Sequence, residues 1–335
     1  MIINILSYFI IQNLILMTIN TDYKLHNWIN IEKLNWNYLC SENPNCFDLL
    51  KANPDKIEWY FLSLNKHEKA IEMLSENQDK INWNEMSDNP YAIKLLTAYP
   101  NNIKWRYLSE NPEAIELLKE NQDKIEWKFL SRNNNEKAIE LLRDNFDKID
   151  WEFLSINVND KAIELLRENP DKIDWFRLSK NSNSQAIKLL EENQDKIHWD
   201  QLCSNKNPEA IKLLEENQDK INWYNLSSNY NATNILIANQ DKIDWDQLCA
   251  NKNPEAIKIF KDNQDKINWS NLSSNQTNEA IELLKENQDK INWSNLCYNR
   301  NQEAIKLFEK NQDKINYVNW DALSSNPAIF TLDSN

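Results

Sequence analysis

Cysteine is the residue type of this chain most often used for nucleophilic and metal chemistry. The five cysteines are Cys40, Cys46, Cys203, Cys249 and Cys297. Four of them stand four residues after a tryptophan, at a position that is serine elsewhere in the same repeated pattern, and Cys46 stands at an alanine position. An odd number of cysteines without a Cys-x-x-Cys pair does not fit a zinc site or a secreted disulfide framework. We therefore predict that the cysteines are small buried residues standing in for serine and alanine.

Other residue types also give no indication of catalysis. His26, His67 and His198 share no position in the pattern, so no base is placed beside a nucleophile. The chain contains no glycine, whereas phosphate-binding loops, dinucleotide fingerprints and nucleophile elbows all depend on glycine. Asp-Lys pairs recur in nearly every copy, as expected for a repeated turn with a solvated surface. The sequence predicts a non-catalytic protein without a cofactor or a metal site.

Aromatic residues form two columns at constant spacing. The first column consists of thirteen tryptophans: Trp36, Trp59, Trp83, Trp105, Trp127, Trp151, Trp175, Trp199, Trp223, Trp245, Trp269, Trp293 and Trp320. These tryptophans share a helix face with leucine and serine, so we predict that they belong to the core. An aromatic cage or a base-stacking surface would need exposed rings.

The second column lies two residues after each tryptophan and points away from the core face. It is aromatic in five of the first six copies, at Tyr38, Phe61, Tyr107, Phe129 and Phe153, with Glu85 interrupting. The later copies carry Arg177, Gln201, Asn225, Gln247, Asn271, Asn295 and Ala322. Stacked copies would align the aromatic residues into a ribbon, and exposed aromatic rows mark protein partners. The alternative is that these side chains pack beneath the loop of the next copy.

The elements that position these residues follow from the repeat itself. Successive tryptophans are 22 to 24 residues apart, except for a last step of 27, within the framework x-A-I-x-L-L-x-x-N-x-D-K-I-x-W-x-x-L-S-x-N. Ala138, Ile139, Leu141 and Leu142 fall within an arc of about 160° at helical spacing, and the Trp-x-x-Leu-Ser block fits a second, shorter helix. Length changes are confined to one junction, which locates a loop. The sequence predicts an all-α solenoid of about twelve two-helix repeats of 22–24 residues. A leucine-rich-repeat horseshoe would need an L-x-L strand, and the framework has none.

Asparagine is expected to end the first helix of each unit. It stands six residues after the isoleucine position, as in Asn53 and Asn145, where a left-handed residue often closes a helix. The aspartate two residues later, as in Asp55 and Asp147, is expected to cap the second helix. Twelve stacked layers at about 8–10 Å each predict an open rod or superhelix about 100 Å long.

Two regions are separated by composition. Residues 1–21 form an apolar, uncharged leader. Three interpretations are open: a helix that covers the first repeat, a membrane anchor, or a stretch that is not translated because the true start is Met17. Residues 22–335 are predicted to be a single solenoid with degenerate end caps. A net charge of −14 makes nucleic acid and anionic lipid unsuitable partners. Membrane association is expected only if residues 1–17 act as an anchor.

The stretch Asn-Pro-Glu-Ala-Ile-Lys-Leu-Leu-Glu-Glu-Asn-Gln-Asp-Lys-Ile-Asn-Trp, residues 207–223, resembles tandem repeats of proteins from mimivirus-like giant DNA viruses. The resemblance covers about residues 28–335. It implies a viral protein in the host cytoplasm, or in the virion, and no particular activity. We therefore expect a scaffold that binds proteins through an extended surface. The alternative is a structural component of a virion or viral factory that assembles end to end.

Overall fold

The computed structural model describes residues 23–332, and it confirms the all-α repeat fold. In this part of the chain each unit contains a first helix, called helix A, a 3-10 turn and a short second helix, called helix B. The predicted leader, residues 1–21, lies outside the described residues. Two strands of three residues, β1 (Tyr23–Leu25) and β2 (Phe330–Leu332), pair with each other.

The twelve helices A of this region alternate regularly with thirteen helices B. Helices A span Phe47–Ala52, Glu68–Ser75, Ile93–Ala98, Ile115–Glu120, Glu136–Asp144, Asp160–Glu168, Ser184–Glu191, Pro208–Glu216, Thr233–Ala238, Pro254–Lys258, Asn278–Glu286 and Gln302–Lys310. Helices B span Trp36–Glu42, Trp59–Leu62, Trp83–Asp88, Trp105–Glu110, Trp127–Leu130, Trp151–Ser155, Trp175–Lys180, Trp199–Cys203, Trp223–Ser227, Trp245–Leu248, Trp269–Ser273, Trp293–Leu296 and Trp320–Ser325.

A 3-10 turn precedes every helix B, and sequence periodicity did not predict it. These turns span Ile31–Lys33, Pro54–Lys56, Gln78–Lys80, Pro100–Asn102, Gln122–Lys124, Phe146–Lys148, Pro170–Lys172, Gln194–Lys196, Gln218–Lys220, Gln240–Lys242, Gln264–Lys266, Gln288–Lys290 and Gln312–Tyr317. Further 3-10 turns begin two helices A at Pro90–Ala92 and Pro112–Ala114, continue another at Ile259–Lys261 and follow the last helix B at Pro327–Ile329.

The predicted left-handed asparagine at the end of helix A is wrong. No residue between 23 and 332 has a positive φ. Asn145 instead adopts φ −127° and ψ 51°, and its side-chain amide donates to the Leu141 carbonyl at 2.9 Å. The side chain thus satisfies a carbonyl that the helix end would leave free. Because the turn needs no left-handed residue, this part of the chain folds without glycine.

The predicted capping role of the turn aspartate is also wrong. Asp147 lies inside the 3-10 turn Phe146–Lys148. The residue directly before the tryptophan caps helix B, because the Asp150 carboxylate accepts from the Phe153 amide at 3.0 Å. An N-cap acceptor must lie before the first helical residue, and the 3-10 turn moves Asp147 too far from it.

The core lies between the two helices of each layer and confirms the predicted apolar face. Ala138, Ile139, Leu141 and Leu142 are all buried. The tryptophans are packed against this core but remain half-buried, except for the buried Trp293.

The outer face of a tryptophan ring is covered by the lysine of the next unit's Asp-Lys pair. Lys148 Nζ lies 4.3 Å from the ring centre of Trp127, a distance at which a cation is attracted to the ring. The same contact occurs at Lys56/Trp36, Lys80/Trp59, Lys124/Trp105, Lys242/Trp223 and Lys290/Trp269. One face of each of these tryptophan rings therefore packs against the core, as predicted, and the other face lies against a lysine side chain.

Buried asparagines connect each layer to the preceding one. The Asn157 amide donates to the carbonyls of Ser131 and Asn133 at 3.1 and 3.0 Å. Its side-chain oxygen accepts from the Asn159 amide at 2.9 Å. Buried asparagines in this register form a column, which we call the asparagine ladder: Asn43, Asn65, Asn89, Asn111, Asn133, Asn157, Asn181, Asn205, Asn229, Asn251, Asn275, Asn299 and Asn326.

Serine residues make a second connection between layers. Ser155 Oγ donates to the Trp151 carbonyl at 2.8 Å and accepts from the Asp174 amide of the next unit at 3.0 Å. One hydroxyl thus joins two consecutive helices B, which explains why this column accepts only small hydrogen-bonding residues.

The asparagine ladder has no free end, because its first member bonds to its last. The Asn43 amide donates to the carbonyls of Ser324 and Asn326, both at 3.0 Å. The Asn65 amide makes the equivalent bonds one layer later, to the carbonyls of Cys40 and Asn43. The first layer therefore stacks on the last layer as any other layer stacks on its predecessor.

Further contacts at this junction repeat the contacts between ordinary layers. The Asn35 amide donates to Ser324 Oγ at 2.8 Å, as Asp174 does to Ser155. Lys33 Nζ lies 5.6 Å from the Trp320 ring centre. The array therefore closes into a ring, and the prediction that the layers extend over about 100 Å as a rod or superhelix is wrong.

The two chain ends together build the thirteenth layer of this ring. Pro327–Ile329 supplies one 3-10 turn in place of a helix A, and β2 then pairs antiparallel with β1. The Trp28 ring stacks on Phe308 with centroids 5.2 Å apart. The degenerate end cap predicted at the C-terminal side is thus a single 3-10 turn followed by a strand. We call this junction the seam, since it joins the two ends without a covalent link.

Helices B form the inner wall of the ring. Over most of the array, consecutive helices B approach each other along more of their backbone than consecutive helices A do, although helices B are shorter. Closely spaced elements of a ring lie at the smaller radius. Thirteen helices B at about 8 Å spacing give a circumference of about 100 Å, which leaves an opening on the order of 20 Å once side chains are subtracted.

Candidate protein-binding surface on the inner wall

The predicted aromatic ribbon lies on helices B and therefore on the inner wall. Tyr38 and Tyr107 are exposed, with 42% and 37% of their surface accessible. Phe61, Phe129 and Phe153 are half-buried. The structure therefore places the five residues on one wall but gives them unequal exposure.

Phe129 and Phe153 are brought into contact, with ring centroids 6.2 Å apart. Arg106 from the preceding unit covers Phe129 at 4.6 Å. Lys128 and Arg132 similarly lie 4.9 and 5.2 Å from the Phe153 ring centre. Cationic side chains of the preceding units therefore cover Phe129 and Phe153, which makes this part of the wall a mixed aromatic and basic surface.

In the remaining sector of the inner wall the position two residues after tryptophan is mostly polar, and several of its side chains are hydrogen-bonded or ion-paired to neighbouring units. Arg177 pairs with Glu152 at 2.9 Å. The Asn225 amide donates to the Asp200 carbonyl at 3.0 Å, and later units repeat this bond with small variations. Because these side chains already have partners, this sector offers less interaction capacity than the aromatic one.

The repeat pattern did not identify three exposed aromatic residues of the inner wall. Tyr60, Phe176 and Tyr224 stand one residue after a tryptophan and are 59%, 47% and 57% exposed. Tyr60 packs edge-on against Phe61, with centroids 5.4 Å apart. Their position is occupied by charged or amide residues in most units, so no regular column indicated them.

A cavity of about 400 Å³ lies at the seam and joins residues from both ends of the chain. Its lining includes Tyr38, Glu42, Tyr298, Arg300 and Asp321. Ala322 also lines it, at a position that is aromatic or polar in the other units. The sequence could not indicate this cavity, because its two sides come from opposite ends of the array.

The cysteines are all buried and unpaired, as predicted. Cys203 Sγ accepts from the Asn222 amide at 3.3 Å, the contact that Ser155 makes in its own unit. Burial raises the pKa of Cys40, Cys203, Cys249 and Cys297 to about 11, and it raises the pKa of Cys46 as well. These thiols are therefore structural substitutes for serine and alanine.

The native thiols should resist alkylation. At pH 8 a thiol with a pKa of about 11 is ionised in about one molecule in a thousand, and only the thiolate reacts rapidly. Labelling with a maleimide should be slow in buffer and should reach five thiols after unfolding in guanidinium chloride. Rapid labelling of the folded protein, counted by mass spectrometry, would contradict the burial of this column.

The histidines occupy unrelated positions. His26 Nδ1 lies 2.6 Å from a Glu309 carboxylate oxygen across the seam. His67 accepts from the Lys69 amide at 3.2 Å as a helix cap, and its pKa is lowered by burial and by Lys69. His198 packs edge-on against Phe176.

Among residues 23–332, no three histidine, cysteine, aspartate or glutamate side chains cluster in a way that could hold a metal ion. In the same region no helix is both long enough and apolar enough to span a bilayer. Comparisons with protein-family models, with curated proteins and with solved structures find no match.

Proposed function

We propose that this protein is a non-catalytic repeat ring that binds a protein partner through the aromatic sector of its inner wall. The observation that carries the proposal is the row of aromatic side chains on five of the first six helices B, from Tyr38 to Phe153, with Glu85 on the remaining one. Exposed aromatic clusters flanked by arginine are typical of the residues that dominate protein interfaces. An opening on the order of 20 Å is wide enough for a helix of about 10–12 Å diameter.

The repeated polar positions support a scaffold over an enzyme. The column of serines and cysteines joins helices, the asparagine ladder joins layers, and the lysine of the Asp-Lys pair covers tryptophan. The recurring serine or cysteine, asparagine and lysine positions thus have structural roles. The resemblance to giant-virus repeat proteins extends the proposal to a host-cytoplasmic or virion setting.

Ring closure favours this proposal over an end-to-end structural polymer. A stacking polymer needs a free first layer and a free last layer, whereas here those two layers contact each other. Homopolymerisation through the outer wall would remain compatible with a closed ring. We therefore place the structural role second.

Replacing Tyr38, Tyr60 and Tyr107 together by serine should abolish partner binding with little loss of stability. All three side chains are exposed, so they contribute little packing, whereas losing an aromatic hot spot costs about 2 kcal/mol or more at an interface. The partner would first be identified by affinity purification from host cells and mass spectrometry. Its dissociation constant for the variant would then be measured by calorimetry.

The matched control replaces Phe146, Tyr230 and Tyr317 by serine. These residues are 46%, 37% and 64% exposed and lie outside helices B. The control variant should keep the wild-type affinity. Equal affinity of both variants for the partner would contradict a binding role for the aromatic sector. Melting temperatures equal to that of the wild type would show that both variant proteins are folded.

A further inference from the structure

In the described part of the chain, the core is incompletely covered on the outer wall beside two neighbouring helices A. The isoleucine of the Ala-Ile pair is buried in most helices A, and Ile139, for example, is fully inaccessible. Ile71 and Ile93 are exceptions, since both are only half-buried. They belong to consecutive units and therefore lie side by side.

The lengths of the neighbouring units explain this gap. Trp83, Trp105 and Trp127 are 22 residues apart, two fewer than in most units. In these shorter units the ladder asparagine directly caps the 3-10 turn that begins helix A, because Asn89 accepts from the Tyr91 amide at 3.0 Å. This draws the beginning of helix A towards the ladder.

The shorter connection also changes the helices themselves. The helices Ile93–Ala98 and Ile115–Glu120 each begin with a 3-10 turn and contain six residues. The preceding helix A, Glu68–Ser75, contains eight. The two helices A that flank the gap therefore differ in length and in how they begin.

The gap forms a groove of about 760 Å³, which we call the Ile71 groove. Its apolar lining includes Ile71, Tyr91, Ile93, Leu95 and Tyr99. Tyr91 is 57% exposed at its edge. A concave apolar surface of this size is unusual on a protein that otherwise carries a charged outer wall.

The rim of the groove is acidic. Glu68, Glu72 and Glu113 line it together with one lysine, Lys94. Within residues 23–332 these three carboxylates form no ion pair, whereas other surface acids nearby do, as in Lys66–Asp88 and Lys137–Glu116. Three unpaired acids beside one cation favour a positively charged partner.

We propose that the Ile71 groove binds a short amphipathic helix of a partner protein, with aliphatic residues on one face and lysine or arginine beside them. The groove follows two neighbouring helices of eight and six residues, a length of about 12 Å that matches two turns of a bound helix. Helix-in-groove recognition uses aliphatic anchors three and four residues apart. This site lies on the outer wall and is independent of the inner-wall function proposed above.

The probe is a synthetic amphipathic peptide built from leucine and lysine, compared with the same peptide carrying glutamate in place of lysine. Fluorescence anisotropy should show binding of the lysine peptide only. The double variant Ile71→Ser/Ile93→Ser should weaken this binding by about tenfold or more. The triple variant Glu68→Gln/Glu72→Gln/Glu113→Gln should weaken it several-fold and reduce its dependence on salt.

The matched control is Phe146→Ser/Ile237→Ser, which removes two exposed apolar side chains from other units. It should leave the affinity for the lysine peptide unchanged. Equal affinities of the groove variant and this control would overturn the proposal, because the peptide would then be held by the overall negative charge. Equal binding of the glutamate peptide would overturn it as well.

Two further measurements keep the test decisive. If the isoleucine variant melts at a much lower temperature, the variant Tyr91→Ser is used in its place, because this exposed side chain contributes little to the core. Tyr91→Ser should weaken binding of the lysine peptide several-fold. An unchanged affinity would overturn the proposal. Sedimentation equilibrium then compares wild type with the groove variant. A wild-type dimer that dissociates on substitution would show that a second copy of this chain occupies the groove, and it would overturn the basic helix as occupant.

Discussion

A disulfide between positions 24 and 331 should form spontaneously in the double variant Lys24→Cys/Thr331→Cys. The two residues face each other in the β1–β2 pair, and facing residues of antiparallel strands lie about 4.5–5.5 Å apart, within the range of a disulfide. In an open rod they would be separated by most of its length. Quantitative formation of an intramolecular disulfide is therefore a direct test of the ring.

The same disulfide should stabilise the protein strongly. It would close a loop spanning 307 residues, for which the chain-entropy relation gives about 6 kcal/mol. The seam is also the junction where closure is least complete, because His26 Nε2 and Trp28 Nε1 are buried there without a hydrogen-bond partner in the described part of the chain. Thermal unfolding under oxidising and reducing conditions would measure the difference.

The control for this experiment is the pair Lys24→Cys/Glu164→Cys. Glu164 lies on a helix A far around the ring, so this variant should remain reduced or form only intermolecular disulfides. Non-reducing electrophoresis separates the two outcomes. If the 24/331 pair behaves like the control, the two ends are not neighbours and the ring is contradicted.

Asn157→Ala should be among the most destabilising single substitutions in the ring. It removes the donors to the Ser131 and Asn133 carbonyls and the acceptor for the Asn159 amide, all within a layer junction where Asn157 is 1% exposed. Each buried group left without a partner costs about 1–3 kcal/mol, which gives roughly 3–9 kcal/mol for the three groups. Urea unfolding followed by tryptophan fluorescence would measure the loss.

Asn159→Ala provides the comparison two residues along the chain. Asn159 is half-buried and caps helix A by accepting from the Lys161 amide at 2.9 Å. Losing such a cap costs about 1 kcal/mol. Similar losses for both variants would show that the asparagine ladder is no more important than an ordinary helix cap.

The inner-wall surface was only partly predictable from the sequence. The spacing of Tyr38, Tyr107 and Phe153 relative to tryptophan determined that they share a wall, because helical geometry fixes the direction of each side chain. Their exposure was not predictable. Arg106 covers Phe129 because of the distance between their layers, which the sequence does not specify. The Ile71 groove depends on where helix A lies in a neighbouring unit that is two residues shorter than most.

The sequence by itself determined the repeat unit, its two helices and the residues that each buries. Ala138, Leu142 and Leu154 recur at helical spacing, and cysteine replaces serine in a single register, so a local pattern was sufficient. Only the tertiary structure decided the path of the array. Thirteen layers close when successive layers turn by about 28°, and stacking alone leaves this angle free. A few degrees of change per layer would accumulate into an open spiral. Contacts between Asn43 and Asn326, which are distant in sequence, therefore carry information that no single unit contains.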